Sequence, residues 1–237
     1  MAVESEPRVL KHHIVRRDLD ALLDGMSPGD PFPSERDLAD RHDVSRETLR
    51  QAIRELLVAG RIERRGRATV VAPPKVVLPL AIGSYTEAAR DQGLSATRIL
   101  VGWSVYEADE ILAELLHLDV GAEVVQLERV FTTDDTRVGL ETTRIGAQRI
   151  PGLVDTFDYR ISLYAELRSR GIIFGRVVDS IETVLPDARE ASLLNVDTRT
   201  PMFLLNRVSY DKDGVPIEHR RSLYRGDRMT FTAVMDA

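Results

Sequence analysis

Three arginines recur at four-residue spacing in the first third of the 237-residue chain, at Arg46, Arg50 and Arg54. The stretch 44–67 holds seven arginines and three acidic residues, although the whole chain has a formal net charge of −6. A guanidinium can bond two atoms on a guanine edge or pair with a phosphate. A basic stretch on an acidic chain therefore indicates a focused contact with an anionic partner. A solvent-exposed helix face carries similar charges, so the neighbouring elements must decide between the two interpretations.

The first 72 residues have the pattern of three helices followed by a hairpin. The apolar face of the first predicted helix, which ends at Gly25, comprises Leu10, Ile14, Leu19, Leu22 and Leu23. Ser34 and Ser45 are predicted to cap a short second helix, which ends near His42, and a third helix. The buried stripe predicted for the third helix comprises Leu49, Ala52, Ile53, Leu56 and Leu57.

Strand-like runs on both sides of Gly66 complete a winged helix-turn-helix, whose third helix enters the major groove of double-stranded DNA. The hydroxyls of Ser45 and Thr48 can contact phosphate oxygens there. The runs 30–39 (DPFPSERDLA) and 44–52 (VSRETLRQA), with Gly60 and Gly66, resemble the DNA-binding domain of GntR-family bacterial regulators. The DNA-binding set expected from the pattern and the resemblance comprises Arg36, Ser45, Arg46, Thr48, Arg50, Gly66 and Arg67. At the wing, Ala68 replaces a second glycine of the family motif and stiffens the tip.

Prolines at positions 73, 74 and 79 predict a domain boundary, with a first domain at 1–72, a linker at 73–79 and a second domain at 80–237. The second domain alternates helical and strand patterns. Its predicted helices are 107–117, 162–170 and 187–194, and its predicted strands are 124–131, 138–145, 202–210 and 215–224. The inward residues predicted for the first of these helices are Ile111, Leu112, Leu115 and Leu116.

The two halves of the second domain align with a shift of 78 residues. This shift places Ala113, Leu115, Leu116, Asp119, Leu127, Arg129 and Val130 on Ala191, Leu193, Leu194, Asp197, Leu205, Arg207 and Val208. Glu141 falls on Glu218 after one deletion. Each half is then a helix-strand-strand unit, and two units form one antiparallel sheet with helices on a face, an α+β fold. Arg129 and Arg207 lie on apolar faces, where each needs an acidic partner or an anionic ligand. Two internal Arg–Glu pairs and a ligand pocket are both consistent with the spacing.

Five further runs, 84–87, 127–129, 162–164, 210–218 and 224–228, resemble the UTRA effector-binding domain of the HutC subfamily, whose fold is similar to chorismate lyase. The effector pocket that this resemblance implies comprises Thr86, Arg129, Glu141, Ser162, Tyr164, Glu218 and Tyr224. Arg129 would take a carboxylate or phosphate group. Phe131 stands where sugar-phosphate-binding relatives have a second arginine, so the resemblance favours a carboxylate-bearing or less charged, partly apolar effector.

The chain is expected to be a cytoplasmic transcriptional regulator, a repressor that associates with the nucleoid as a homodimer on a pseudo-palindromic operator. There is no cysteine, and the sequence has no apolar run of membrane-spanning length and no N-terminal signal peptide. No cofactor and no metal are expected, because the five histidines lack ligand spacing and no phosphate loop occurs. Two alternatives remain open: a second domain that only dimerises, and an enzyme acting on a small carboxylate, for which no nucleophile-base pair is found.

Overall fold

The computed structural model describes residues 11–235, and its contacts divide the chain into two compact units between Lys75 and Val76. The helices are α1 (Lys11–Leu23), α2 (Glu35–His42), α3 (Arg46–Val58), α4 (Tyr85–Asp91), α5 (Glu110–Leu116), α6 (Leu153–Thr156), α7 (Leu163–Ser169) and α8 (Ala188–Leu194). The strands are β1 (Ile62–Arg65), β2 (Ala68–Val71), β3 (Val76–Pro79), β4 (Ala96–Glu107), β5 (Glu123–Thr133), β6 (Thr136–Gly146), β7 (Phe174–Val184), β8 (Met202–Asp211), β9 (Pro216–Arg225) and β10 (Met229–Thr232).

The first unit consists of three helices and a two-stranded wing, β1 and β2, around one apolar core. The predicted stripe on α3 is confirmed for its four fully buried members, while the fifth, Leu57, is half-buried. The predicted face of α1 is wrong at one position: Ile14 is 43% exposed, and Val15 is buried in its place. The reason is the spacing of Val15, Leu19 and Leu23, which repeats every four residues and forms one face. Leu10 lies outside the described residues.

Serine caps and a paired loop hold the first unit in shape. The hydroxyl oxygens of Ser34 and Ser45 accept hydrogen bonds from the backbone N–H of Asp37 and Thr48, so both predicted N-caps are confirmed. The loop between α1 and α2 pairs with the wing strand β2, because the N–H of Phe32 donates to the carbonyl of Thr69 over 2.9 Å. This pairing anchors the wing to the helical core through main-chain bonds.

The second unit is built on a six-stranded antiparallel sheet with the order β4-β5-β6-β9-β8-β7. A separate pair is formed by β3 and β10, which run parallel. The structure therefore differs from the expected linker at 73–79, because 76–79 form a strand whose first N–H, at Val76, donates to the carbonyl of Arg228. Pro79 is tolerated because it ends that strand.

The repeat is present and longer than predicted, because each half begins with a strand at the edge of the sheet. The halves are β4-α5-β5-β6 and β7-α8-β8-β9, and the helices α5 and α8 are offset by the predicted 78 residues. The edge strands β4 and β7 were missed, since both expose much of their length to solvent. The helix predicted at 107–117 begins later, at Glu110, because Glu107 ends β4. Within it Ile111 is 72% exposed and Leu115 is also exposed, whereas Leu112 and Leu116 are buried as predicted.

Candidate functional site

The proposed DNA-binding side chains of the helices lie at the beginnings of α2 and α3. Arg36, Arg46 and Arg50 are exposed, Ser45 caps α3, and Thr48 is half-buried. The Ser45 hydroxyl oxygen accepts from the Thr48 N–H and lies 2.9 Å from the Thr48 hydroxyl, so the two hydroxyls lie side by side at the beginning of α3. The helix N-terminus and the nearby guanidiniums together form a surface suited to a phosphate backbone.

The arginines on this surface are held by carboxylates. Arg50 Nε donates to Glu35 Oε2 over 2.9 Å, and a terminal nitrogen of Arg64 lies 3.9 Å from Glu35 Oε1. The hydrogen bond and charge of Glu35 raise the pKa of Arg50 above its ordinary value. Arg54 pairs with Glu47 on its own helix over 3.0 Å. Helix α3 and the wing strand β1 thus share one carboxylate, which belongs to α2.

The tip of the wing carries the two remaining members of the proposed set. Gly66 has a φ of +61°, a conformation that favours glycine, and Arg67 is exposed beside it. A Cβ at Gly66 would contact nothing within 4 Å, so backbone conformation, and not space, requires glycine in the free chain. The exposed tip is free to approach a DNA backbone closely.

The second unit contains a small, nearly closed cleft against its sheet. Its lining residues are Ser84, Tyr85, Arg98, Arg129, Phe131, Glu141, Ser162, Leu163, Tyr164 and Arg220. Four of the seven predicted effector-binding residues, Arg129, Glu141, Ser162 and Tyr164, are therefore brought together in what we call the arginine cavity. Arg98 and Arg220 were not predicted.

Arg129 and Glu141 form a buried ion pair at the floor of the arginine cavity. Arg129 donates through one terminal nitrogen to Glu141 over 2.7 Å, and the two side chains are 2% and 3% exposed. The other terminal nitrogen donates to the carbonyls of Tyr159 and Ile161. One of the two Arg–Glu pairs considered from sequence is thus present, and it lines a cavity at the same time.

Arg98 and Arg220 add two cations to this cavity. Arg98, on β4, donates to the Thr86 hydroxyl and to a backbone carbonyl, while Arg220, on β9, lies 3.5 Å from Glu141. The Nε atoms of Arg98, Arg129 and Arg220 are buried and have no hydrogen-bond partner among the residues that the structure describes. Three guanidiniums therefore lie close to the carboxylate of Glu141, and the carboxylate of Glu218 lies near Arg220 as well.

The electrostatics of the cavity follow from this excess of cations. Burial, together with the charge of Arg129, lowers the pKa of Arg98 to about 10. Burial opposes ionisation of Glu141, but Arg129 and Arg220 outweigh it and hold its pKa below the ordinary value. Burial also opposes the charge on Arg220, whereas Tyr164, Glu218 and Glu141 raise its pKa well above the ordinary value. The charge of Arg98 is therefore not fully balanced by the carboxylates near it.

The other predicted effector-binding residues lie next to the arginine cavity without lining it. Glu218 is fully buried and accepts hydrogen bonds from the Tyr164 hydroxyl over 2.6 Å and from Ser209 over 2.9 Å. The Thr86 hydroxyl accepts a hydrogen bond from Arg98, and Tyr224 lines a second small cleft. Tyr85 and Arg220 line both clefts.

The second repeat arginine has a different partner from the one considered in the sequence. Arg207 donates through two nitrogens to Asp179, both over 2.6 Å, and its third nitrogen donates to the Ala81 carbonyl. Asp179 stands directly opposite Arg207 on the missed strand β7, whereas Glu218 stands opposite Ser209 and bonds there. Of the two internal Arg–Glu pairs considered from the sequence, the second is therefore replaced by an Arg–Asp pair.

Two further observations concern metals and membranes. The side-chain nitrogens of His12 and His13 and a carboxylate oxygen of Glu55 lie within 4.8 Å of one another, a group that the sequence analysis did not identify. Arg16 lies 3.5 Å from the same carboxylate and already balances its charge.

Within residues 11–235 no helix combines the length and the apolar character needed to cross a membrane.

Comparison with known proteins matches each unit to a family. Residues 11–71 match the family described as "Bacterial regulatory proteins, gntR family", and residues 91–230 match the UTRA domain. The chain is 68% identical to the HTH-type transcriptional repressor PhnF of Mycolicibacterium smegmatis, over all of this chain and 97% of that protein. It is 30% identical to the HTH-type transcriptional repressor NagR of Bacillus subtilis, over 89% of this chain and 88% of that protein.

A solved structure of PhnF from Mycobacterium smegmatis superposes with a TM-score of 0.72 at 70% identity, covering 94% of this chain and 99% of that one. The relatives are DNA-binding regulators, so the enzyme alternative is set aside. A GntR helix-turn-helix followed by a UTRA domain makes the chain a DNA-binding regulator whose second unit is an effector-binding domain. The chain belongs to the GntR family of bacterial transcriptional regulators, in the HutC branch that carries a UTRA domain.

Proposed function

We propose that the chain is a homodimeric repressor that leaves a pseudo-palindromic operator when a small anion binds in the arginine cavity. The name of the 68% identical relative, a transcriptional repressor, supports repression. A two-fold dimer presents two copies of α3, which fits an operator with two-fold symmetry. Operator binding would place the protein in the cytoplasm, on the nucleoid.

The observation that carries the effector proposal is the trio of buried, unpartnered Nε donors on Arg98, Arg129 and Arg220, three cations beside the two carboxylates of Glu141 and Glu218. Such a cluster is costly to bury, and an anion with two or more oxygens would relieve that cost. Phe131 replaces an arginine that sugar-phosphate-binding relatives carry at this position. The arginine cavity keeps its positive charge nevertheless, because Arg98 on the neighbouring strand supplies a cation. A phosphate group is therefore as well matched as the expected carboxylate.

A short covalent path connects the cavity to the beginning of the second unit. Ser84 and Tyr85 line the arginine cavity and begin α4, and β3 precedes α4 by a few residues. Movement of α4 on ligand binding is thus passed to β3 and on to the connection at 72–75. A coupling of about 1–3 kcal/mol between effector and operator is sufficient to change DNA affinity by roughly 5- to 150-fold.

The test is a thermal-shift screen of the full chain against short carboxylates, sugars, sugar phosphates and inorganic phosphate. A ligand at 100 times its dissociation constant adds about 2.7 kcal/mol to the folded state. The expected hit requires Arg129 and lowers binding to operator DNA in an anisotropy titration. A stabilising ligand that leaves DNA binding unchanged would contradict the repressor mechanism. Absence of any ligand, together with intact dimers by light scattering, would favour a domain that only dimerises.

A further inference from the structure

Glu35 is a carboxylate on the DNA-binding surface itself, between arginines of two other elements. It begins α2, its Oε2 accepts from Arg50 Nε on α3 over 2.9 Å, and its Oε1 lies 3.9 Å from Arg64 on β1. A carboxylate at this position repels DNA phosphates, so it lowers affinity for DNA in general. Its presence beside Arg50 therefore needs an explanation other than affinity.

Stability does not provide that explanation. The side chains of Arg50 and Glu35 are 55% and 37% exposed, and exposed ion pairs contribute little to folding. What the pair does fix is the orientation of the Arg50 guanidinium. The bond engages Nε, on the stem side of the guanidinium, so the fork of terminal nitrogens remains at the far end of the Arg50 side chain.

We propose that Glu35 is a positioning residue that makes Arg50 read base edges and not phosphates. An arginine on DNA chooses between phosphates, which are present at every step, and guanine O6 and N7, which report the sequence. Glu35 holds the inner edge of Arg50 and repels nearby phosphates, which leaves the fork for a bidentate contact. This inference rests on the proposal that Arg50 contacts DNA from α3.

Arg54, one turn further along α3, provides the contrast. Its carboxylate partner, Glu47, lies on the same helix and is 75% exposed, so that pair cannot orient the arginine against another element. Glu47→Gln is therefore the matched control for Glu35→Gln, since each variant removes one negative charge from the same surface without changing side-chain size.

The experiment selects binding sites from a randomised double-stranded DNA library with the full-length wild type, Glu35→Gln, Glu47→Gln, Arg50→Ala and the double variant Glu35→Gln/Arg50→Ala. Arg50→Ala identifies the base pair that Arg50 reads. Glu35→Gln is expected to relax the preference at that same pair and to lower the ratio of specific to random-DNA affinity about 5- to 150-fold, as one lost bidentate contact would. Binding to random DNA is expected to rise, and the melting temperature to stay unchanged.

The outcomes separate the two proposals. If Arg50→Ala leaves every base preference intact, Arg50 is not a base-reading residue and the parent proposal fails. If Arg50→Ala relaxes one base pair but Glu35→Gln selects the wild-type site with the wild-type ratio, Glu35 does not position Arg50. An equal effect of Glu47→Gln, or a further loss from Glu35→Gln in the Arg50→Ala background, would also overturn the inference.

Discussion

Arg98 stands directly opposite Phe131 across strands β4 and β5, and its guanidinium carbon lies 5.3 Å from the centre of the Phe131 ring. Arg129 lies over the same ring at 5.7 Å. Phe131 thus stands where some relatives have a second arginine, and its ring contacts two guanidiniums, those of Arg98 on β4 and Arg129 on β5. Contact of a guanidinium with the face of a ring is favourable and partly offsets the burial of charge.

Replacement of Arg98 by methionine is expected to separate stability from ligand binding. Without ligand, Arg98→Met should be at least as stable as the wild type, because burial disfavours this cation and methionine fills similar space. Stabilisation by the anion found in the screen should be lost. Urea unfolding with and without that anion measures both effects. The control, Arg199→Met, changes an 87% exposed arginine and should retain the full anion effect; equal loss in both variants would contradict the assignment.

Arg129→Ala is expected to abolish the effector response and to leave operator binding intact, because Arg129 lies at the floor of the arginine cavity in the second unit. Anisotropy titrations with operator DNA, repeated with effector, measure this. Since the alanine leaves Glu141 buried beside fewer cations, the double variant Arg129→Met/Glu141→Met, which removes both charges, serves as the folded companion. A full effector response in either variant would exclude Arg129 from the site.

Arg50→Ala is expected to weaken operator binding by about 1–3 kcal/mol and to relax the preference at one base pair. Arg54→Ala, one turn further along the same helix, is expected to weaken binding to all sequences alike, as loss of a phosphate contact does. Competition titrations with operators changed at single positions distinguish the two patterns. Identical effects from the two variants would contradict a special role for Arg50.

Glu141 should make stability depend on pH in the acid range. Burial opposes its ionisation, but Arg129 and Arg220 hold its folded pKa below the ordinary value of 4.5. Its contribution is therefore complete above that value and is lost as the pH falls through the lower, folded pKa. Glu141→Gln should cost about 3–5 kcal/mol at pH 7, the usual effect of breaking a buried pair.

The cost of Glu141→Gln should shrink as the pH falls below 4.5. Unfolding free energies of wild type and variant at several pH values measure this gap. The control, Glu114→Gln, changes an exposed residue of α5 and should show no such narrowing. A gap that stays constant down to pH 3 would contradict the ion pair.

Tyr164→Phe is expected to destabilise the second unit by about 1–3 kcal/mol, because it removes a hydrogen bond to a fully buried carboxylate. Burial raises the pKa of Tyr164, so the hydroxyl stays protonated and donates to Glu218. Urea unfolding gives the size of the effect. Tyr106→Phe removes an exposed hydroxyl that accepts from Arg144 over 3.0 Å and lies 3.4 Å from Gln126, and it should cost much less because water can replace both contacts.

Most of the helix-turn-helix was predictable because its signals are local. Ser34 and Ser45 cap the helices that follow them, and the apolar spacing of α3 fixes its buried face within one chain segment. The predicted buried face of α1 was wrong at Ile14. The buried face is formed by Leu19 and Leu23 together with Val15, and Ile14 is exposed. Helical periodicity fails when two overlapping faces have similar apolar content.

The cavity was predicted in part, because its members come from distant strands. Arg220 alternates with Glu218 on β9, and that two-residue spacing could have placed it on the pocket face. No local signal could place Arg98, which reaches the site through its pairing with Phe131. Asp179 was missed for the same reason, since its strand β7 lies at the sheet edge and lacks a continuous apolar face.

The bidentate Arg207–Asp179 pair leads us to expect one effector molecule per chain. The duplicated half-domains offer two equivalent arginines, but Asp179 occupies the second with a carboxylate of the chain itself. The donors of Arg207 are thus occupied by the chain itself, whereas Arg129 keeps a buried Nε that has no hydrogen-bond partner among the described residues. Each chain should titrate with a single equivalent of effector, and any steepness in its dose response must come from pairing of chains and not from the repeat inside one.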